Sequence, residues 1–189
     1  MGKIFDTIDD RLRSFIEQQA MFFVATAPRG DDGHVNLSPK GLDSFRVLGP
    51  TTVAYLELGG SGAETIAHLR ENGRITVLFN AFSGPPKILR LYGQGRAVFP
   101  ADAEWEGLIE HFTPMPGVRS IIVIECERIA DSCGFGVPRY ELQGDRTQLT
   151  DWATRKGEDA ILDYMKKNNR LSIDGLPALD GTSRLGDES

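Results

Sequence analysis

The sequence predicts a mainly β protein in which the strands form an antiparallel barrel and the helices flank it. Strand-like apolar runs follow one another through most of the chain, and only one predicted helix is placed to connect parallel strands. The longest run contains Gly93 and Gly95, and glycines inside a strand are typical of the bends that close small barrels. A doubly wound parallel sheet would need a helix after nearly every strand, so we expect an antiparallel barrel.

The first elements alternate between helix and strand patterns. Apolar residues recur with helical spacing over residues 6–19, which predicts an amphipathic helix. MFFVATA and HVNLS then predict two strands of a hairpin in which Gly33 takes a positive φ. Residues 52–58 and 74–80 predict two more strands, separated by a short helix that ends at Asn72 and Gly73.

The remaining elements are longer. Residues 87–99 predict a long strand, residues 102–112 a helix, and SIIVIECERIADSC a strand buried on both faces. The pattern over residues 148–167 is helical again. We therefore divide the chain into a barrel domain, residues 1–147, and a C-terminal helix and tail, residues 148–189, which pack on the barrel or its dimer. The polar end of the tail is predicted to be disordered.

Composition excludes several classes of protein. The formal net charge of -6 disfavours a nucleic-acid binder, because neutralising phosphates needs a basic face. No apolar run reaches the roughly 20 residues needed to cross a bilayer, so no membrane span is expected. Cys126 and Cys133 lack C-x-x-C spacing and no apolar signal segment is seen, which predicts a reduced, cytoplasmic protein. The three histidines are far apart, so no metal site is predicted.

The run from Gly59 to Gly62 predicts an anion site, because it joins a strand to the start of a helix. Unpaired backbone N–H groups and the positive end of the helix dipole meet at such a turn. A dinucleotide fingerprint is disfavoured because Thr65 replaces its third glycine, and the G-K-[ST] of a P-loop is missing. Taken alone, the run fits a simple turn equally well, with Ser61 as N-cap and Glu64 completing a capping box.

Three cations favour the binding interpretation. Lys40 follows the strand HVNLS, whereas Lys87 and Arg90 begin the long strand after Pro85 and Pro86. If the intervening strands pair as neighbours, these cations converge on the glycine-rich turn. His68 follows Glu64 by four residues, which predicts a pair on the helix surface.

Four motifs follow one another in order: NLSPKG, VAYLELGGSGAETIAHL, NGRITVLF and GPPKILRLYGQG. Their order resembles the pyridoxamine 5'-phosphate oxidase-like family of FMN-binding split barrels, and the likeness covers roughly residues 15–130. The later CGFGVPRY and SIDGLP resemble a bacterial subfamily with a C-terminal extension. The resemblance implies a six-stranded antiparallel split barrel that forms a homodimer, with FMN bound at the interface.

The same resemblance implies which residues hold FMN. This cofactor needs a cationic, N–H-rich pocket for its phosphate and an apolar slot with a few backbone donors for its ring. The residues implied to hold it are Lys40, Ser61, Gly62 and Thr65 near the phosphate, Asn36, Leu37, Ser38 and Pro39 along the ribityl chain and flavin edge, and Arg90 as a further contact.

The implied function is that of an oxidoreductase in which hydride or electrons pass through the flavin to or from an unidentified small molecule. True pyridoxamine 5'-phosphate oxidases carry an arginine-bearing R-L-x-P type segment, which DGLPALDGTSRLGDES lacks, so that particular activity is not implied. Two alternatives stay open: a non-catalytic flavin-binding or redox-sensing module, and a haem- or deazaflavin-using relative. Cys133 is either a redox-active thiol near the flavin or a small buried residue at a strand end.

Overall fold

One antiparallel sheet of eight strands forms the body of the protein. The computed structural model describes residues 2–179. Five helices lie around the sheet, and the polar end of the tail, predicted to be disordered, falls outside the described residues. In chain order the elements are β1 (Ile4–Phe5), α1 (Asp10–Glu17), β2 (Phe22–Thr26), β3 (Asn36–Lys40), β4 (Phe45–Val47), β5 (Thr52–Leu58), α2 (Glu64–Asn72), β6 (Arg74–Asn80), β7 (Ile88–Val98), α3 (Trp105–Ile109), β8 (Val118–Ser132), α4 (Gln148–Lys156) and α5 (Glu158–Asn168).

The sheet curls round until its two ends meet. Its strand order is β3-β2-β6-β7-β8-β5-β4, with β1 paired to β8. Across a flat sheet β3 and β5 would be about 24 Å apart, because neighbouring strands are spaced by about 4.8 Å. Lys40 Nζ on β3 nevertheless lies 3.1 Å from Glu57 Oε1 on β5. The curled antiparallel sheet with flanking helices confirms the predicted split-barrel fold.

The structure contains two strands more than the six that were expected. All six predicted strands are present, as β2, β3 and β5 to β8. The added strands are β1, with two residues, and β4, with three. Strands this short do not show enough alternation of apolar and polar residues to be recognised in a sequence.

Aromatic side chains from four strands fill one end of the barrel. Phe45 on β4 packs edge-on against Phe22 and Phe79, each at 5.0 Å between ring centroids. Tyr55 on β5 completes the group, 5.5 Å from Phe22. Edge-to-face pairs at this distance stabilise a core beyond their buried area. The cluster joins the β4 end of the sheet to the middle strands and so holds the curl closed.

The predicted bend in the longest strands is confirmed at Gly93. The register of β7 against β8 shifts between Tyr92 and Gly93, which marks a bulge. A Cβ at residue 93 would collide with the carbonyl oxygen of Glu125, so the two backbones approach too closely for any residue but glycine.

Several local predictions were wrong in detail. Gly33 does not have a positive φ. Glycine is required there for a different reason, because a Cβ would collide with the ring of Pro28. The single helix expected over residues 148–167 is two, because Gly157 breaks it at a φ of 78°. The helix expected over residues 102–112 covers only Trp105–Ile109.

The C-terminal helices share a core with the barrel. Ile161 and Met165 from α5 belong to the same buried cluster as Val53 on β5 and Ile66 on α2, and Leu179 belongs to it as well. Within residues 2–179, no helix is long and apolar enough to cross a membrane. The same residues contain no group of three or more His, Cys, Asp or Glu side chains that could hold a metal ion.

Candidate functional site

A cleft of about 390 Å³ opens where the two ends of the curled sheet meet. Its walls are β3, the end of β5 and the glycine loop, which we define as Gly59–Gly62. Leu149 of α4 also reaches the cleft. Most of the residues predicted to hold a cofactor line it: Asn36, Ser38, Pro39, Lys40, Ser61, Gly62 and Thr65.

The alternation of side chains along β3 decides which of its residues face the cleft. Asn36, Ser38 and Lys40 are partly buried and line it. Leu37 lies on the other face of the strand, is 66% exposed, and does not line the cleft. Pro39 also lines the cleft, so the predicted run of ligands along β3 is interrupted only at Leu37 within one chain.

Two predicted cations lie elsewhere. Arg90 Nη1 donates to Ser132 Oγ at 3.0 Å, and Lys87 Nζ lies 4.8 Å from the centre of the Phe15 ring. Neither residue lines the cleft. The expected convergence with Lys40 was wrong for a single chain, because β2 and β6 separate β3 from β7 in the sheet.

Two side chains hold the glycine loop in place by donating hydrogen bonds to its carbonyl groups. Asn169 Nδ2 donates to Gly60 O at 3.0 Å, and Arg119 Nη1 donates to Gly62 O at 2.9 Å. The C=O and N–H of a trans peptide point in opposite directions, so the N–H of Ser61 is directed away from Asn169. No hydrogen bond within residues 2–179 uses the Ser61 N–H as a donor. The loop therefore offers an unpaired N–H to an anion.

The start of α2 offers further unpaired N–H groups. Its N-cap residue is Ala63, which has no side chain to accept a hydrogen bond. The predicted capping box was wrong, because Ser61 is not the N-cap and the Glu64 carboxylate accepts instead from Ile173 N, at 3.4 Å. The first-turn N–H groups of an uncapped helix end, together with the helix dipole, favour a bound anion.

A buried charge cluster forms the floor of the cleft. Glu57 is 4% exposed and Arg119 is 1% exposed. Glu57 Oε1 accepts from Arg119 Nη2 at 3.0 Å and from Lys40 Nζ at 3.1 Å. Two cations and one carboxylate leave the cluster with one net positive charge. A buried carboxylate depends on such partners, because its desolvation is costly.

Tyr55 lies two residues before Glu57 on the same face of β5 and is completely buried. Burial raises the pKa of the Tyr55 phenol well above its usual range, and the negative charge of Glu57 raises it further. The phenol therefore stays neutral, and it adds no negative charge to the floor of the cleft.

Asn36 is oriented by hydroxyl groups on two other elements. Its Nδ2 donates to Thr26 Oγ1 on β2 and to Thr65 Oγ1 on α2, both at 3.1 Å. Its Oδ1 accepts from Ser38 Oγ at 3.0 Å. The amide thus joins β3 to the first turn of α2, which fixes the distance between the two predicted halves of the site.

His68 is buried beneath this network and does not lie on the helix surface. Its Nδ1 lies 2.9 Å from Thr26 Oγ1, and its side chain has no exposed area. Burial lowers the pKa of His68, so the imidazole is neutral at pH 7. The predicted surface pair with Glu64 was wrong, because the face of α2 that carries His68 packs against the barrel.

Sequence reasoning missed Glu57, Arg119 and Asn169. Arg119 did carry a signal, since it is a lone cation inside the apolar run of β8. Glu57 carried a similar one in the apolar strand β5. A charge within a buried strand implies a charged partner. Asn169 carried none, because its partner Gly60 lies 109 residues away.

The two cysteines differ in accessibility. Cys133 is exposed, so the expectation of a small buried residue at a strand end was wrong. Burial, with a smaller effect of the Glu125 charge, raises the pKa of the Cys126 thiol to about 12. At pH 8 we therefore expect a disulfide-type thiol reagent to modify one cysteine rapidly in the native protein and both after denaturation. A Cys133→Ser variant that kept the rapid reaction would contradict this assignment.

Comparisons with known proteins agree with this architecture. The profile of the pyridoxamine 5'-phosphate oxidase family matches residues 8–133. The pyridoxamine 5'-phosphate oxidase family protein ustO of Aspergillus flavus is 38% identical in an alignment of 204 positions. The alignment covers 97% of this chain and 80% of that protein.

Solved structures share the fold at lower identity. A variant of HupZ from Group A Streptococcus superposes with a TM-score of 0.53 at 22% identity, over 66% of this chain and 99% of that one. A Lactobacillus delbrueckii protein provisionally named a pyridoxamine 5'-phosphate oxidase gives a TM-score of 0.51 at 16% identity, over 67% of this chain and 98% of that one. From the profile match and the identity to ustO, the chain belongs to the pyridoxamine 5'-phosphate oxidase family.

Proposed function

We propose that this protein is an FMN-binding flavoprotein whose cofactor phosphate sits on the glycine loop. The observation that carries the proposal is the unpaired Ser61 N–H, which lies in a cleft with Lys40 and over a floor of net positive charge. Ser61 and Thr65, which carry hydroxyl groups, also line the cleft. A phosphate dianion matches this combination of N–H, hydroxyl and ammonium donors.

The rest of the cofactor would extend along β3. This strand is at the end of the sheet and pairs with β2 on one side, so alternate residues present unpaired backbone groups on the other. Asn36 and Ser38 add polar side chains directed into the cleft. Such a strand edge can form hydrogen bonds with the polar rim of a flavin ring. The planar faces of the ring need contact with apolar side chains.

We propose that a second copy of the chain supplies that cover, so that the functional unit is a homodimer with FMN at the interface. Val35 and Leu37 are among the most exposed apolar side chains of the described chain, and so is Ile173. The hydrogen bond from His34 N to Asp174 Oδ2, at 2.8 Å, places Ile173 beside the start of β3. Leu37 and Arg90, which lie outside the cleft of their own chain, would then be available to the partner's site.

Bound FMN would supply hydride and electron transfer, and we propose an oxidoreductase acting on a small molecule. The protein's own residues would bind and orient the cofactor and exclude water. Lys40 and Glu57 pair with each other, and the other carboxylate among the described lining residues, Glu64, accepts from Ile173 N at 3.4 Å. That pairing also favours a second candidate, a flavin carrier or redox sensor without turnover.

The haem alternative lacks support in this cleft. Among residues 2–179, those that line the cleft include no His, Cys, Met or Tyr, which are the usual axial ligands of haem iron. We propose that the protein is cytoplasmic, because both cysteines are free thiols.

The visible spectrum of the purified full chain tests the flavin proposal. We expect absorption bands of an oxidised flavin, release of FMN on heating as identified by mass, and binding of FMN at least about 100-fold tighter than riboflavin, since a buried phosphate makes several charge-assisted hydrogen bonds. A colourless protein that takes up no added FMN would contradict the proposal. Reduction by NAD(P)H and reoxidation by an acceptor would separate the enzyme from the carrier.

A further inference from the structure

We propose that Asn169, in the C-terminal extension, is the positioning residue that sets the glycine loop in its anion-binding orientation. The inference rests on the proposed function for the identity of the ligand, and on the structure for the geometry. Asn169 follows α5, is completely buried, and donates from Nδ2 to Gly60 O across 109 residues of sequence.

Asn169 is itself held rigidly. Its backbone N–H donates to Met165 O at 2.9 Å, and its carbonyl accepts from Leu179 N at 3.2 Å. The Met165 side chain packs so closely on Gly59 that a Cβ there would collide with its terminal methyl group. The extension therefore presents the amide at a fixed point behind the loop.

The loop needs such an external anchor because, in the part of the chain that the structure describes, the hydrogen bond from Asn169 is the only one to the peptide between Gly60 and Ser61. A Cβ on Gly60 would meet no atom within 4 Å, so close packing does not explain why this residue is glycine. Glycine allows backbone conformations on both sides of φ = 0, so this peptide can rotate. Rotation would turn the Gly60 carbonyl, instead of the Ser61 N–H, towards the anion. The hydrogen bond from Asn169 selects the orientation that binds.

The extension touches the cleft at two other points. Leu149 of α4 lines it directly. Asp174 contacts His34: its Oδ2 accepts from His34 N, and its Oδ1 lies 2.6 Å from His34 Nδ1. His34 is two residues before Asn36, the first residue of β3 that lines the cleft. The extension thus contributes one residue to the cleft lining and holds two of the segments that form or adjoin its walls.

The test compares Asn169→Leu with Asn168→Leu, both made in the full chain. Leucine keeps the branching and the number of heavy atoms of the asparagine side chain but cannot donate to Gly60 O. Asn168 is an exposed neighbour whose Nδ2 donates to Tyr164 O at 2.9 Å, so its variant controls for changes to the end of α5. We expect Asn169→Leu to weaken FMN binding at least about tenfold, while riboflavin binding changes less than about threefold, because only the phosphate uses the loop. Asn168→Leu should change neither.

An equal loss of FMN and riboflavin affinity in Asn169→Leu would overturn the proposal, because it would show general damage to the fold. If that variant does not fold, Asn169→Ala serves in its place. A second readout is the amide NMR shift of Ser61 during titration with inorganic phosphate, which does not require flavin binding. A shift in the wild type that is lost in the variant supports the positioning role even if FMN fails to bind. A shift that persists unchanged overturns it.

Discussion

Replacing Arg119 with methionine is expected to lower the free energy of unfolding by about 3–5 kcal/mol, because it leaves a buried carboxylate without its main partner. Arg119 is 1% exposed and its Nη2 donates to Glu57 Oε1 at 3.0 Å. Its Nη1 holds Gly62 O, so the glycine loop should loosen as well. Urea unfolding followed by circular dichroism measures the change.

Arg96 provides the matched control for this prediction. It pairs with Glu104 at the surface, where the two side chains are 53% and 49% exposed. Arg96→Met should cost no more than about 1 kcal/mol, as exposed ion pairs do. Equal costs for the two variants would contradict a structural role for Arg119. The double variant Arg119→Met, Glu57→Gln should recover part of the loss, because it removes the buried carboxylate that has lost one of its two cationic partners.

Replacing Lys40 with glutamate is expected to weaken FMN binding by at least about 100-fold. The change removes the ammonium group that lines the cleft and adds a carboxylate beside Glu57, whose Oε2 lies 3.0 Å from Lys40 Nζ in the wild type. The floor of the cleft would change from one net positive charge to one net negative charge. Two unit charges 4 Å apart interact by about 4 kcal/mol near a protein surface, more than enough for that loss. Quenching of flavin fluorescence measures the affinity.

Two control variants separate the charge effect from others. Lys40→Met removes the cation without adding an anion, so its affinity for FMN should lie between those of the wild type and Lys40→Glu. Lys166→Glu makes the same charge change on an exposed position of α5 and should leave FMN binding unaltered. If Lys40→Glu binds FMN as tightly as the wild type does, Lys40 does not contact the phosphate.

The fold could be predicted from the sequence because its main strands are long enough to show their pattern. The six predicted strands have five to fifteen residues, whereas β1 and β4 have two and three. The curl of the sheet could not be derived from periodicity, because it depends on contacts such as the one between Lys40 and Glu57, across the sheet. The resemblance to split barrels supplied it.

The local parts of the candidate site were also predictable. Asn36, Ser38 and Lys40 share one face of a single strand, and the glycine loop is continuous in sequence. The sequence could not predict contacts that depend on the order of strands in the sheet or on residues far away in the chain. Arg90 lies outside the cleft of its own chain because its strand is three positions from β3 in the sheet, and Arg119 was missed because its partners lie 57 and 62 residues away.

The meeting of β3 and β5 has a thermodynamic consequence. Within the described chain β3 pairs with β2 alone, so side chains, not backbone hydrogen bonds, join it to β5. The cleft lies along this junction, which has no ladder of backbone hydrogen bonds in the described chain. A ligand that contacts both strands stabilises the folded state. At a free ligand concentration of about one hundred times the dissociation constant, it raises the free energy of unfolding by about 2.7 kcal/mol. Occupancy of the site and folding of the barrel are therefore coupled equilibria, so the stability of the folded chain should rise with the concentration of the ligand.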